Sequence, residues 1–189
     1  MFVKETPMEL WDVYDREGNL TGRTVPRGNC RLRAGEYHLV VHIWVVGSDG
    51  RLVIQKRSNT RPMMAGEWAA TGGAAISGED SLTAAHREFR EEMGIDIPKK
   101  EFNLVKRLYR RNSFIDLYTV RRTIPLSRFV LQEEEVADIR KVHKKQLLQL
   151  VRQGKFHNYG REYFDTLMDS LSNKNKRHYK RSKATSYER

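Results

Sequence analysis

The stretch that decides the reading runs from Gly72 to Ile95, GGAAISGEDSLTAAHREFREEMGI. It follows Trp68 to Thr71, a short strand that the Gly72-Gly73 pair is expected to break. Residues 79–93, EDSLTAAHREFREEM, carry Leu82, Ala85, Phe89 and Met93 near one stripe, with charge on the other side. That spacing predicts an amphipathic helix. Gly94 is placed as its C′ stop. Glu88, Glu91 and Glu92 lie at i, i+3 and i+4 and so project from one face of this helix. Three like charges repel unless something positive sits among them. Clustered oxygen ligands suit a hard cation such as Mg²⁺ or Mn²⁺, which can bridge to substrate phosphates and offset developing charge. Taken alone, the three glutamates read more readily as a solvated acidic face.

The neighbouring residues change that balance. From Gly73 the chain reads Gly, five residues, Glu79, seven residues, then Arg87-Glu88-Phe89, Arg90, Glu91-Glu92, Met93 and Gly94-Ile95. This resembles the Nudix box position by position, with Phe89 at an apolar place as the one soft departure. The resemblance implies that Glu88, Glu91 and Glu92 ligate the metal, joined by the backbone carbonyl of Gly73. It implies that Arg87 holds the carboxylates in place, with Glu79 as its partner and Gly94 as structural support. An arginine fork suits that task, because it binds carboxylates bidentately. Gly73 and Gly78 suit a tight turn into the helix, and Glu79 is expected in the first turn, where it complements the helix dipole.

Outward from the box, Leu10 to Thr24 flank the turn signal Glu17-Gly18-Asn19 and read as a β-hairpin, about 10–25. Tyr37 to Val46, YHLVVHIWVV, reads as a buried strand, and Arg51 to Lys56 returns from the turn at Gly47–Gly50. Residues 58–66 read as a loop. Further strands are expected at Asn103–Arg110, Phe114–Arg122 and 138–142, and helices at Lys144–Gln153 and Arg161–Leu171. This order suggests an α/β protein with a mixed sheet between helical layers. Leu10 to Leu150 is similar to the Nudix subgroup related to isopentenyl-diphosphate isomerase, which implies an α/β/α sandwich around a mixed sheet.

The resemblance also implies a catalytic base on a later loop. Gln132-Glu133-Glu134-Glu135-Val136 falls at that place, with Glu135 favoured and Glu134 second; a base on the box helix itself is the third reading. The catalytic set is then Arg87, Glu91 and Glu135. Arg57 and Arg61 are candidates to clamp phosphates, and Trp68 to line the pocket. His38 and His42 lie four apart on one strand and face one side. They form a candidate metal pair, but histidines in an apolar strand are more often packed.

Composition sets the frame. The 189 residues suggest one domain over 1–172 and a basic, disordered tail over 173–189. That tail has seven Lys/Arg against one Glu, +6 of the net +11, and leaves the body mildly basic. Such a body suits anionic small-molecule substrates and does not by itself argue for nucleic acid. No apolar run approaches the roughly 18–20 residues of a membrane span, and no signal peptide is read at the start. The single cysteine, Cys30, suits a reducing cytoplasm. The resemblance implies metal-dependent hydrolysis of a diphosphate linkage, and two rival functions stand against it. Isomerisation of isopentenyl diphosphate implies a Cys before the opening Gly of the box and a His after it, where this chain has Gly72 and Ala74. A non-catalytic, nucleotide-binding module would be expected to lose box glutamates, and all are present. The family resemblance leaves a homodimer open.

Overall fold

A computed structural model describes residues 9–27 and 32–172. Cys30 and the basic tail, residues 173–189, lie outside the described residues. The described residues open with the expected hairpin, β1 (Leu10–Tyr14) and β2 (Leu20–Pro26), paired antiparallel. Its turn is built by Asp15, whose carboxylate accepts from the Asn19 backbone at 2.8 Å, while Gly18 takes φ 86°.

Seven strands form one mixed sheet: β3 (His38–Val46), β4 (Leu52–Arg57), β5 (Trp68–Ala69), β6 (Thr71–Ala74), β7 (Phe102–Tyr109), β8 (Ser113–Arg121) and β9 (Val136–Val142). β3 is apolar on both faces, as a central strand must be. It runs parallel to β8 along its whole length, from His38 opposite Ser113 to Val46 opposite Arg121. β7 flanks β8, and β9 flanks β4. β3 and β4 share only the register pair Val46–Leu52 and then splay apart.

The strand from Trp68 to Ala74 crosses that splay. Its first part, β5, pairs with β4, and its second, β6, pairs with β3. Gly72 and Gly73 therefore do not break the strand as expected; they are the central residues of β6. The physical reason is close approach. A Cβ on Gly72 would lie 2.0 Å from the Val41 carbonyl oxygen, so only glycine lets the backbones come this near.

Alternate residues of β3 feed two cores. Leu39, Val41, Ile43 and Val45 meet α1 (Ser81–Met93) through Ala84, Ala85, Phe89 and Met93. Trp44 and Val46 meet the layer of α2 (Lys144–Arg152) and α3 (Arg161–Ser172), through Leu147, Tyr163, Phe164 and Leu167. The architecture is an α/β/α sandwich.

The start of α1 differs from expectation in one respect. The helix begins at Ser81, and Asp80 is its N-cap, accepting from the Thr83 backbone at 2.7 Å. Such a cap contributes about 1 kcal/mol. Glu79 lies before the helix, so it does not serve the dipole from the first turn. The helix ends as expected at Gly94, φ 65°, where a Cβ would lie 2.4 Å from the Val130 carbonyl oxygen.

Candidate active site

The site forms where α1 crosses the edge of β6. Arg87 organises it. Its Nε donates to Glu79 Oε1 at 2.7 Å and its Nη2 to Glu79 Oε2 at 2.9 Å, a bidentate fork. Nη1 donates to Glu88 Oε1 and to Glu91 Oε2, each at 3.0 Å, and Nη2 also reaches the Ala74 carbonyl at 3.2 Å. Glu79 is held in turn by the Ile76 amide at 3.1 Å. One guanidinium thus joins the loop before the helix, the helix and β6. Burial alone would lower its pKa, but the surrounding carboxylates raise it.

Glu88 and Glu92 point inward and Glu91 outward; Glu92 is only 3% exposed. Glu92 Oε2 accepts from the Gly72 amide at 3.0 Å. Burial, and then the charge of Glu88, push its pKa up to about 8 against that hydrogen bond. Glu88 is also raised by burial, and Arg87 and Arg27 oppose the rise. Gly73 lies directly beneath Glu88. A Cβ there would be 2.6 Å from the Glu88 carboxylate, so this glycine provides room rather than a turn. Gly78, at φ 87°, is the residue that turns the loop.

This set suits a hard divalent cation. It is all oxygen, two of its carboxylates are buried with more negative than positive charge around Glu92, and the strand beneath leaves space where a side chain would be. Among the described residues no three acidic, His or Cys side chains converge on one point as they stand. Glu88 and Glu91 are drawn to Arg87, and Glu92 to Gly72.

The loop after residue 129 closes the site. The Gln132 amide donates to the Glu92 carbonyl at 3.3 Å, and the Ser58 amide to the Glu135 carbonyl at 2.8 Å. The side chain of Glu135 is ion-paired to Arg61 Nη1 at 2.8 Å, and its charge bears on Glu92. The buried Nε of Arg61 has no partner among the described residues. Arg57 donates from Nε to the Met63 carbonyl at 3.2 Å, and its charge reaches Glu92. Arg57, Arg61 and Glu135, named separately from the sequence, therefore stand around the box helix. Glu134 contributes its carbonyl, which accepts from the Thr60 hydroxyl at 3.3 Å. Trp68 opens the strand that leads to Gly72, with the Arg140 guanidinium 3.9 Å above its ring.

The two strand histidines are packed. His38 stacks on Trp11 at 4.1 Å, and His42 Nδ1 meets the Tyr163 hydroxyl at 2.9 Å. Sequence reasoning missed Arg27. It follows β2, pairs with Glu9, and its charge bears on Glu88. An isolated arginine after a hairpin strand gives no signal of that placement.

A mixed sheet sandwiched by helices, with an arginine-locked acidic strand–loop–helix unit on one face, defines the Nudix class of α/β protein. The NUDIX domain family model matches residues 36–165. The chain is 37% identical over 153 residues to an uncharacterised Nudix hydrolase of Listeria monocytogenes, covering 80% of this chain and 90% of that one. It is 31% identical over 105 residues to an isopentenyl-diphosphate Delta-isomerase of Aromatoleum aromaticum, 54% of this chain and 53% of that one. Among solved structures, a Deinococcus radiodurans protein superposes with TM-score 0.71 at 20% identity, over 87% of this chain and 99% of that one. The chain belongs to the Nudix hydrolase family.

Proposed function

We propose that this chain is a pyrophosphohydrolase that uses Mg²⁺ or Mn²⁺ to cleave, with water, a diphosphate linkage in a nucleoside-diphosphate-linked or related phosphorylated small molecule. The observation that carries the reading is the complete acidic set: Glu88 and Glu91 are held by Arg87, itself forked onto Glu79, Glu88 stands over Gly73, and Glu92 is held by the Gly72 amide. Those three carboxylates and the Gly73 carbonyl would hold the metal. When bound, the cation supplies positive charge against the diphosphate oxygens.

The chain's own residues do the rest. Arg61 and Arg57 bind phosphate oxygens through their guanidinium groups. Trp68 lines the substrate pocket. Arg87 keeps Glu88 and Glu91 in register. Glu135 takes the proton of the attacking water, with Glu134 or Glu91 as the alternative bases. A new P–O bond forms at one phosphorus as the bridging P–O bond breaks, and the second phosphate-bearing half departs with the bonding electrons.

ADP-ribose, bound by the NUDIX domain of a Shewanella oneidensis protein of the same fold (TM-score 0.58, 15% identity), belongs in the first substrate panel. The isomerase reading is disfavoured at Gly72, the place of the required thiol. Any Cβ there would meet the Val41 carbonyl oxygen at 2.0 Å. We place the protein in the cytoplasm, as one catalytic domain over residues 1–172, with a homodimer open to test. No helix among the described residues is long and apolar enough to cross a membrane.

The test is a screen of purified protein with Mg²⁺ or Mn²⁺ against nucleoside-diphosphate-linked compounds and prenyl diphosphates, with products resolved by chromatography and Glu92→Gln run alongside. Metal-dependent cleavage by the wild type alone is expected. Equal turnover by the variant would remove Glu92 from the ligand set.

A further inference from the structure

The strand that carries Gly72 and Gly73 changes partner at Ala70, and there side chains rather than a strand meet its amides. The Gly72 amide donates to Glu92 at 3.0 Å. Two residues earlier, the Ala70 amide donates to the hydroxyl of Tyr159 at 3.3 Å. Tyr159 comes from the segment just before α3, on the other side of the sheet from α1 and far from the box in sequence.

Tyr159 grips the crossing a second time. Its ring centroid lies 4.6 Å from that of His42, and His42 stands directly opposite Gly72 in the β3–β6 register. The tyrosine is itself anchored. Its carbonyl accepts from Arg110 Nη2, and its ring packs 4.6 Å from Tyr163. A phenylalanine would fill the same space. What the hydroxyl adds is an acceptor for an amide at the one point where the strand has left β4 and has not yet joined β3.

We propose that Tyr159 is a positioning residue for the metal-binding set: by fixing Ala70 from behind the sheet, it sets the Gly72 amide that orients Glu92 and the Gly73 main chain beneath Glu88. The proposal rests on the metal-dependent reading above and adds to it a residue that touches neither metal nor substrate. Groups that orient metal ligands in this indirect way typically change metal affinity by about 10–100-fold when removed.

The experiment is a titration of the full chain with Mn²⁺ alone, followed by electron paramagnetic resonance of the free ion, for wild type, Tyr159→Phe and Tyr163→Phe. Tyr163 is the control. It belongs to the same aromatic cluster, but its hydroxyl bonds His42 and Trp44, not the crossing strand. Thermal melts establish that each variant is folded. Tyr159→Phe is expected to bind Mn²⁺ on the order of tenfold more weakly, while Tyr163→Phe loses stability and keeps wild-type affinity. Equal affinity in wild type and Tyr159→Phe, or an equal loss in both variants, would overturn the role of Tyr159 and leave the metal centre standing. A wild-type chain that binds no Mn²⁺ would overturn the centre itself and this role with it.

Discussion

The carboxylate of Glu88 occupies the space that a side chain on Gly73 would need: a Cβ there would lie 2.6 Å from the carboxylate carbon and from both oxygens. Even one methyl at residue 73 must therefore displace Glu88 or push α1 off β6. Overpacking of this kind costs about 1–3 kcal/mol. Gly73→Ala is expected to lower stability by about 2 kcal/mol and to abolish Mn²⁺ binding. Gly78→Ala gives the contrast. It strains a residue at φ 87° with nothing within 4 Å of the new methyl, so it should cost about 1 kcal/mol and leave Mn²⁺ binding intact. Thermal melts paired with Mn²⁺ titration read both. Retained binding in Gly73→Ala would show that Glu88 has room to move.

Arg87 makes five hydrogen bonds to three carboxylates and one carbonyl. Removing it leaves Glu88 buried beside Glu92, with the weaker influence of Arg27 and Arg57 to offset their charges. Loss of one partner from a buried ion pair costs about 3–5 kcal/mol; Arg87 is partly exposed, and about 3 kcal/mol is expected for Arg87→Ala. Arg87→Lys should recover little of this, because an ammonium cannot fork onto Glu79 while reaching Glu88 and Glu91. Urea unfolding at neutral pH, with metal chelated, measures the difference. A lysine variant as stable as the wild type would show that charge, not fork geometry, is what matters.

Acid should destabilise the fold through His42. Trp44 Nε1 can only donate, so the Tyr163 hydroxyl accepts from it at 2.9 Å and directs its own proton to His42 Nδ1. A proton on Nδ1 would oppose that donor. Burial, with smaller contributions from His157, Arg110 and Arg57, lowers the His42 pKa to about 3. The folded value is below the unfolded value near 6.5, so between them the unfolded state binds the extra proton. Stability from this group is therefore complete above about 6.5 and declines as pH falls toward 3. Relative to pH 7, the loss at pH 5 is about 2 kcal/mol. His38, lowered by burial to about 4, adds a second increment in the same direction. His42→Gln keeps an acceptor for Tyr163 and does not titrate. Its stability should fall less steeply between pH 7 and 5, as measured by urea midpoints. Parallel curves for the two proteins would exclude His42 as the source.

The parts of this site that were legible in the sequence are those fixed by local geometry. Glu88, Glu91 and Glu92 share a face because of helical spacing, and the box pattern ties Arg87 back to Glu79 just before the start of the same helix. The hairpin turn at Gly18 and the stop at Gly94 are likewise local. What was not legible depends on which strands adjoin. Gly72 and Gly73 read as a break because glycine ordinarily interrupts a strand; only the pairing of β6 with β3, set by residues far away, shows that they lie within one. Glu79 read as a first-turn acid because the box places it near the helix start, whereas Asp80, better suited to capping, took the boundary. Arg27 and Tyr159 reach the site from a hairpin and from the far side of the sheet, and no spacing rule connects them to it.

Glu92 poses a conflict between stability and function that can be measured. Its carboxyl is almost fully buried, and burial together with the charge of Glu88 raises its pKa to about 8. The folded value is above the unfolded value near 4.5, so the folded state binds the extra proton between them. The stabilising contribution is complete below about 4.5 and is lost as pH rises through about 8. With metal chelated, the wild type should weaken from this group as pH rises across that window, opposite in sign to the effect of His42. Glu92→Gln removes the titrating group and keeps an oxygen to accept from the Gly72 amide. The chelated variant should therefore be at least as stable as the wild type at pH 8, and its urea midpoint should lack this falling component. Mn²⁺ should raise the wild-type midpoint and leave the variant unchanged, because a ligand that binds only the folded state stabilises it in proportion to its binding. Turnover should drop by orders of magnitude in the same variant. A chelated variant clearly weaker than the wild type at pH 8 would mean that the buried carboxylate is stabilised by contacts other than the Gly72 amide, and that its pKa is not raised.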